Sequence, residues 1–170
     1  PRVMALSPSA TFAMSQKAAD LKATGLDVIS LSVGEPALNT HDHIKKAAKK
    51  AIDGNFSFYT AVPGYLSLRE AGCRKLKREN GLDFTPAQIV IGNGAKQELC
   101  DVILSIVNKG DEVLIPVPAW VSYMEMVKIA EGVPVTIYAG PEQKFKVTAE
   151  QIEAAITPKT KALMLCSPSN

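Results

Sequence analysis

Apolar and polar positions along the chain alternate between two rhythms. After Thr40, the residues Ile44, Ala47, Ala48, Ala51 and Ile52 recur at helical spacing, and Gly54 supplies the stop. Residues 11–22 predict an earlier helix ending near Gly25, and residues 28–33 a short extended stretch. A helix over about 64–79 closes at Asn80-Gly81. The β-branched run Ile89-Val90-Ile91 predicts a buried strand. The stripe Leu99, Val102, Ile103, Ile106, Val107 predicts the helix that follows, closed by Lys109-Gly110. Strands are expected at 112–115, 133–138 and 162–166, with helices over 120–130 and 149–156 between them. Thr148 and Gln151 read as a capping box opening the last helix. Pro134 has no N–H for a ladder, so its strand is expected at a sheet edge.

Strands alternating with helices define an α/β class with a mostly parallel sheet and flanking helices, because each crossover returns the chain in the same direction. Ligands in such sheets sit at the carboxyl ends of strands. Those ends are residues 92–96, 116–120 and 167–170, so three loops are expected to face one site.

Gly92-Asn93-Gly94 turns the chain into a helix whose first residues are Ala95, Lys96 and Gln97. Free N–H groups and the positive end of the helix dipole suit an anion there, although a plain structural turn gives the same sequence. Two phosphate motifs are excluded. A dinucleotide fingerprint needs a glycine where Gln97 stands and an acidic residue ending the next strand, which instead meets Pro116-Val117-Pro118. A P-loop needs Gly-Lys-Ser/Thr, and Lys96 lies between Ala95 and Gln97.

Composition narrows the classes further. Of the 170 residues, 46% are hydrophobic and 21% charged, ordinary values for a globular chain. A net charge of +2 argues against nucleic acid as a partner, and no apolar run approaches a membrane span or a signal-peptide core. Cys73, Cys100 and Cys166 are too widely spaced for a metal or disulfide framework, so a reducing, cytoplasmic setting is expected with each a small core residue. His41 and His43, without a third ligand nearby, do not make a metal site.

Seven segments in order then carry a resemblance. They are Ser7-Pro8-Ser9-Ala10-Thr11, Gly34-Glu35-Pro36, Tyr59 with Pro63-Gly64, Gly94-Ala95-Lys96-Gln97, Trp120-Val121-Ser122-Tyr123, Thr157-Pro158-Lys159-Thr160-Lys161 and Ser167-Pro168-Ser169-Asn170. Together they resemble the N-terminal part of a fold-type I (class I/II), pyridoxal-phosphate-dependent aminotransferase, nearest the bacterial aspartate aminotransferase branch. The resemblance implies an arm and small-domain segment over 1–40 and the first part of the large cofactor-binding domain over 41–170.

It also implies roles. Gly94, Ala95 and Lys96 would receive the phosphate of pyridoxal 5'-phosphate, Trp120 would stack on its pyridine ring, and Asn170 would donate to its phenolic oxygen. Tyr59 would reach the phosphate held by the partner subunit of a homodimer. Gly34 would offer its N–H to the substrate carboxylate, Lys96 would meet a distal carboxylate, and Thr11 would help close the site. The substrates implied are an amino acid, aspartate or glutamate, and a 2-oxo acid. Ala119, where many relatives carry tyrosine, and Ala37-Leu38-Asn39 after Pro36 depart from the pattern and bear on the choice of substrate.

The resemblance places the Schiff-base lysine, the aspartate at the ring nitrogen and the arginine for the α-carboxylate beyond Asn170. The 170 residues alone are therefore expected to be inactive, a piece of a longer protein, and not a stable domain by themselves. Later strands are also expected to separate residues 89–91 and 162–166 from the rest, leaving only 112–115 and 133–138 adjacent. Three alternatives stay open: a fold-type I relative with other substrates, a short non-catalytic protein keeping half a cofactor site, and a nucleotide-binding protein.

Overall fold

The structure, a computed structural model, describes residues 3–169. Its helices are α1 (Ala10–Ala23), α2 (Asp42–Asp53), α3 (Leu66–Asn80), α4 (Ala95–Ile106), α5 (Ser122–Ile129) and α6 (Ala149–Ala155). Its strands are β1 (Glu112–Val117), β2 (Val133–Tyr138) and β3 (Thr160–Leu163). The chain forms two compact units, one of residues 1–33 and 96–170 and the other of residues 34–95.

The first unit holds the sheet, an α/β arrangement of three parallel strands in the order β2-β1-β3. β1 is its centre because it is apolar on both faces: Val113, Leu114 and Ile115 are fully buried. Val113 and Ile115 share one face with Ile103 and Val107 at the end of α4 and with Tyr123, Met126 and Val127 of α5. Leu114 points to the other face, where α6 packs against β2. Thr148 opens α6 with the expected capping box: its N–H donates to Gln151 Oε1 at 2.9 Å, and Gln151 N–H returns a bond to Thr148 Oγ1 at 3.3 Å.

The sheet corrects one expectation. β1 is paired not only with β2 but also with β3, in the register Glu112↔Thr160, Val113↔Ala162 and Leu114↔Leu163. The physical reason is that a strand buried on both faces must satisfy the backbone groups of both its edges. Met164 N–H donates to Leu114 O at 2.9 Å, and Glu112 N–H donates to Lys159 O at 2.8 Å. β2, with Pro134, lies at the sheet edge as its sequence implies.

The second unit is helical. α3 ends where expected, at Gly81 in the left-handed region (φ +68°), with Leu82 N–H on Leu76 O and Gly81 N–H on Lys77 O. Arg69 binds the start of α3 to the chain after it, donating to Gly64 O at 3.2 Å and to Pro86 O at 2.7 Å. One expectation fails here. Residues 89–91 form no strand: Ile89 is extended (φ −113°, ψ 128°) and Ile91 N–H finds Pro63 O at 3.1 Å, but no ladder forms. α2 starts just after Thr40, with His41 as an N-cap that makes no side-chain cap bond. No described residue between 34 and 95 is buried; the apolar core belongs to the sheet unit.

Candidate functional site

α4 begins directly after Gly94, whose φ of +88° lies in the region that glycine adopts without penalty. Nothing lies within 4 Å of the place a Cβ would take at Gly94, so the ground before the helix is open. Ala95 is the first helical residue and Lys96 the second. The Lys96 ammonium extends over the indole of Trp120, 4.6 Å from the ring centroid.

Trp120 follows the end of β1 and precedes α5, so the carboxyl end of the central strand delivers it. Tyr123 meets it edge-on, with centroids 5.4 Å apart and planes at 89°. The turn that leads into α5 sets that spacing: Tyr123 N–H donates to Trp120 O at 3.1 Å. The Cys166 thiol close to the Tyr123 hydroxyl, together with burial, raises the tyrosine's pKa above its ordinary value. Cys166 Sγ donates onward to Pro168 O at 3.3 Å. The peptide bonds Val117–Pro118 and Ser167–Pro168 are cis. A cleft of about 640 Å³ opens at the carboxyl ends of β1 and β3, with Val117, Tyr123, Phe145, Cys166 and Ser169 in its lining.

The structure thus brings together Lys96 and Trp120 of the residues singled out by sequence. Thr11 lies in the first turn of α1, its carbonyl accepting from Ser15 Oγ at 2.9 Å. Gly34 and Tyr59 belong to the helical unit, where both are exposed. Asn170 lies outside the described residues. Sequence reasoning assigns no role to Tyr123, although it lies in the segment Trp120-Val121-Ser122-Tyr123; its spacing of three from Trp120, about one helical turn, is the available signal. Cys166, expected in the core, is exposed. Among the described residues no cluster of histidine, cysteine and acidic side chains suits a metal, and no helix is long and apolar enough to cross a membrane.

Fold and site define an α/β scaffold of parallel strands whose carboxyl ends carry an aromatic face beside a lysine at a helix start. The family described as aminotransferase class I and II matches residues 26–170. The chain is 53% identical over 165 residues to an aspartate/prephenate aminotransferase of Cereibacter sphaeroides, covering 97% of this chain and 41% of that protein. It is 48% identical over 169 residues to an aspartate aminotransferase of a Bacillus species, covering 99% and 43%. Two solved structures, aspartate aminotransferases of Rhizobium meliloti and of Thermus thermophilus with maleate, each superpose with a TM-score of 0.94. They are 41% and 43% identical, covering 99% of this chain and 42% and 44% of theirs. The chain belongs to the class I and II aminotransferases. It spans about two-fifths of the length of the curated relatives it matches.

Proposed function

We propose that the protein to which these residues belong transfers an amino group between an amino acid and a 2-oxo acid, using pyridoxal 5'-phosphate. The observation that carries this reading is the Lys96 ammonium 4.6 Å from the Trp120 ring centroid, at the start of α4. The residues present fit the cofactor. A phosphorylated aromatic ring needs an anion seat and a flat apolar surface, and here a helix start, a cation and an indole occur together. Gly94, Ala95 and Lys96 would hold the phosphate, Trp120 the ring and Asn170 the phenolic oxygen. When bound, the cofactor supplies an electron sink for the substrate's α-carbon.

The chain's own part is then binding and orientation. Gly34 would offer its N–H to the substrate α-carboxylate, and Thr11 would help cover the site. Tyr59 would act on the partner subunit's phosphate, making the active assembly a homodimer. Residues 1–40 would belong to the arm and small domain, and 41–170 to the large domain. Unpaired Cys73, Cys100 and Cys166 suit a cytoplasmic protein. The 170 residues by themselves are inactive in this reading, because the lysine that carries the cofactor would come later.

Aspartate or glutamate is the amino donor we favour. Relatives are named for aspartate and prephenate, and one solved relative holds maleate. All three are dicarboxylic, and Lys96 supplies the cation a second carboxylate requires. The experiment is a pair of assays on the full-length protein: cofactor binding by absorbance, and transamination against a panel with aspartate, glutamate, alanine and prephenate. Cofactor uptake with a preference for the dicarboxylic members is the expected result; no uptake refutes the reading.

A further inference from the structure

Trp120 is flanked by two side chains of unlike character. Lys96 reaches it through a flexible four-carbon stem, so its ammonium can move aside for a better partner. Tyr123 has no such freedom. It is 6% exposed, and its ring packs among Ile103, Ile115 and Met126. Its backbone is held in α5, and its hydroxyl lies close to Cys166, which follows β3. The ring it sets perpendicular to Trp120, at 89° and 5.4 Å, is therefore a fixed wall.

We infer that Tyr123 is a positioning residue for Trp120, its immobile perpendicular ring setting the plane of the indole on which a flat ligand lies. The inference rests on the reading that Trp120 takes the cofactor ring. An indole can turn about the bond to its Cβ, and stacking needs one plane. A perpendicular neighbour that cannot move holds that plane in one orientation.

The test uses the full-length protein and reads the Kd of pyridoxal phosphate for the apo form by equilibrium dialysis, with a thermal melt certifying that each variant folds. Tyr123→Leu raises Kd by about fivefold, the factor an aromatic edge contact carries. If that variant does not fold, Tyr123→Met, unbranched and adaptable, takes its place. Tyr123→Phe, which keeps the ring, restores Kd to within about twofold. On a Trp120→Ala background, Tyr123→Leu adds no further loss, because its route to the cofactor is gone. The inference is overturned by an unchanged Kd in the Leu variant, by a Phe variant as weak as Leu, or by a Leu penalty that persists in full without Trp120. A wild-type protein that takes up no cofactor overturns both this inference and the reading beneath it. One that binds normally while the cycle is additive overturns this inference alone.

Discussion

The backbone N–H of Ser7 donates to Glu125 Oε2 at 2.9 Å, joining positions 118 residues apart. The other oxygen of that carboxylate accepts from Lys128 Nζ at 2.8 Å. Partial burial opposes ionisation of Glu125, but the Lys128 and Ser7 bonds outweigh it and hold the carboxyl below its ordinary pKa. A carboxylate depressed in the folded state stabilises above its unfolded pKa, and that contribution is lost as pH falls through the folded value. Acidification below the ordinary glutamate range should therefore release the segment around Ser7 before the sheet. Limited proteolysis against pH checks this, with Glu125→Ala cleaved near Ser7 already at neutral pH. Equal resistance in the variant would refute the tie.

Gly132 should not accept a side chain. A Cβ there would lie 2.6 Å from Val107 Cγ1, 3.0 Å from Val127 Cγ1 and 3.1 Å from Asp111 O. Val107 and Val127 are core residues and Asp111 O is backbone, so none yields cheaply. Gly132→Ala is expected to destabilise by about 1–3 kcal/mol, the usual cost of overpacking. A urea melt of the full-length protein reads it as a lower midpoint at unchanged slope.

The capping box of α6 offers a local test. Thr148→Ala removes the acceptor for Gln151 N–H, a loss of about 1 kcal/mol. Amide exchange within residues 149–155 should quicken by about fivefold while exchange in β1 stays unchanged. Uniform acceleration across both would mean that α6 does not open by itself.

Lys96 bears on substrate choice. If it meets a distal carboxylate, Lys96→Met should lower kcat/KM for aspartate by about ten- to a hundredfold, the worth of a charge-assisted hydrogen bond. The loss for alanine, measured on the same preparation, should be several-fold smaller. An equal loss for both substrates would assign Lys96 to the cofactor phosphate alone.

Local chemistry was the legible part of the sequence. Apolar spacing, stop residues and a capping box located α1 to α6, Thr148 and Gln151 announced their own bonds, and Pro134 announced an edge. These features depend on residues a few positions apart. Which strand lies beside β1 depends on residues some fifty positions away, and the pairing of Glu112 with Thr160 could not be read from either segment. The run at 89–91 has the composition of a strand, but a strand also needs a neighbour, and here Ile89 N–H goes to Pro86 O and Ile91 N–H to Pro63 O, neither of them in a strand. The same limit applied at the site. Lys96 was visible from the turn before it, whereas Tyr123 gained its part only from the edge contact with Trp120 and the Cys166 thiol, which arrives 43 residues later.

Pro134 gives the sheet a direction of growth. Val133 N–H is spent inward, on Asp111 O at 2.8 Å, so by alternation residue 134 turns its backbone nitrogen to the open side of β2. That nitrogen carries no hydrogen, and a strand arriving there would find a donor missing near the start of the ladder. β3 holds no proline, and the N–H groups of Lys161 and Leu163 alternate onto its outer side. Extension is thus refused at one margin and invited at the other, and one imino acid enforces the difference.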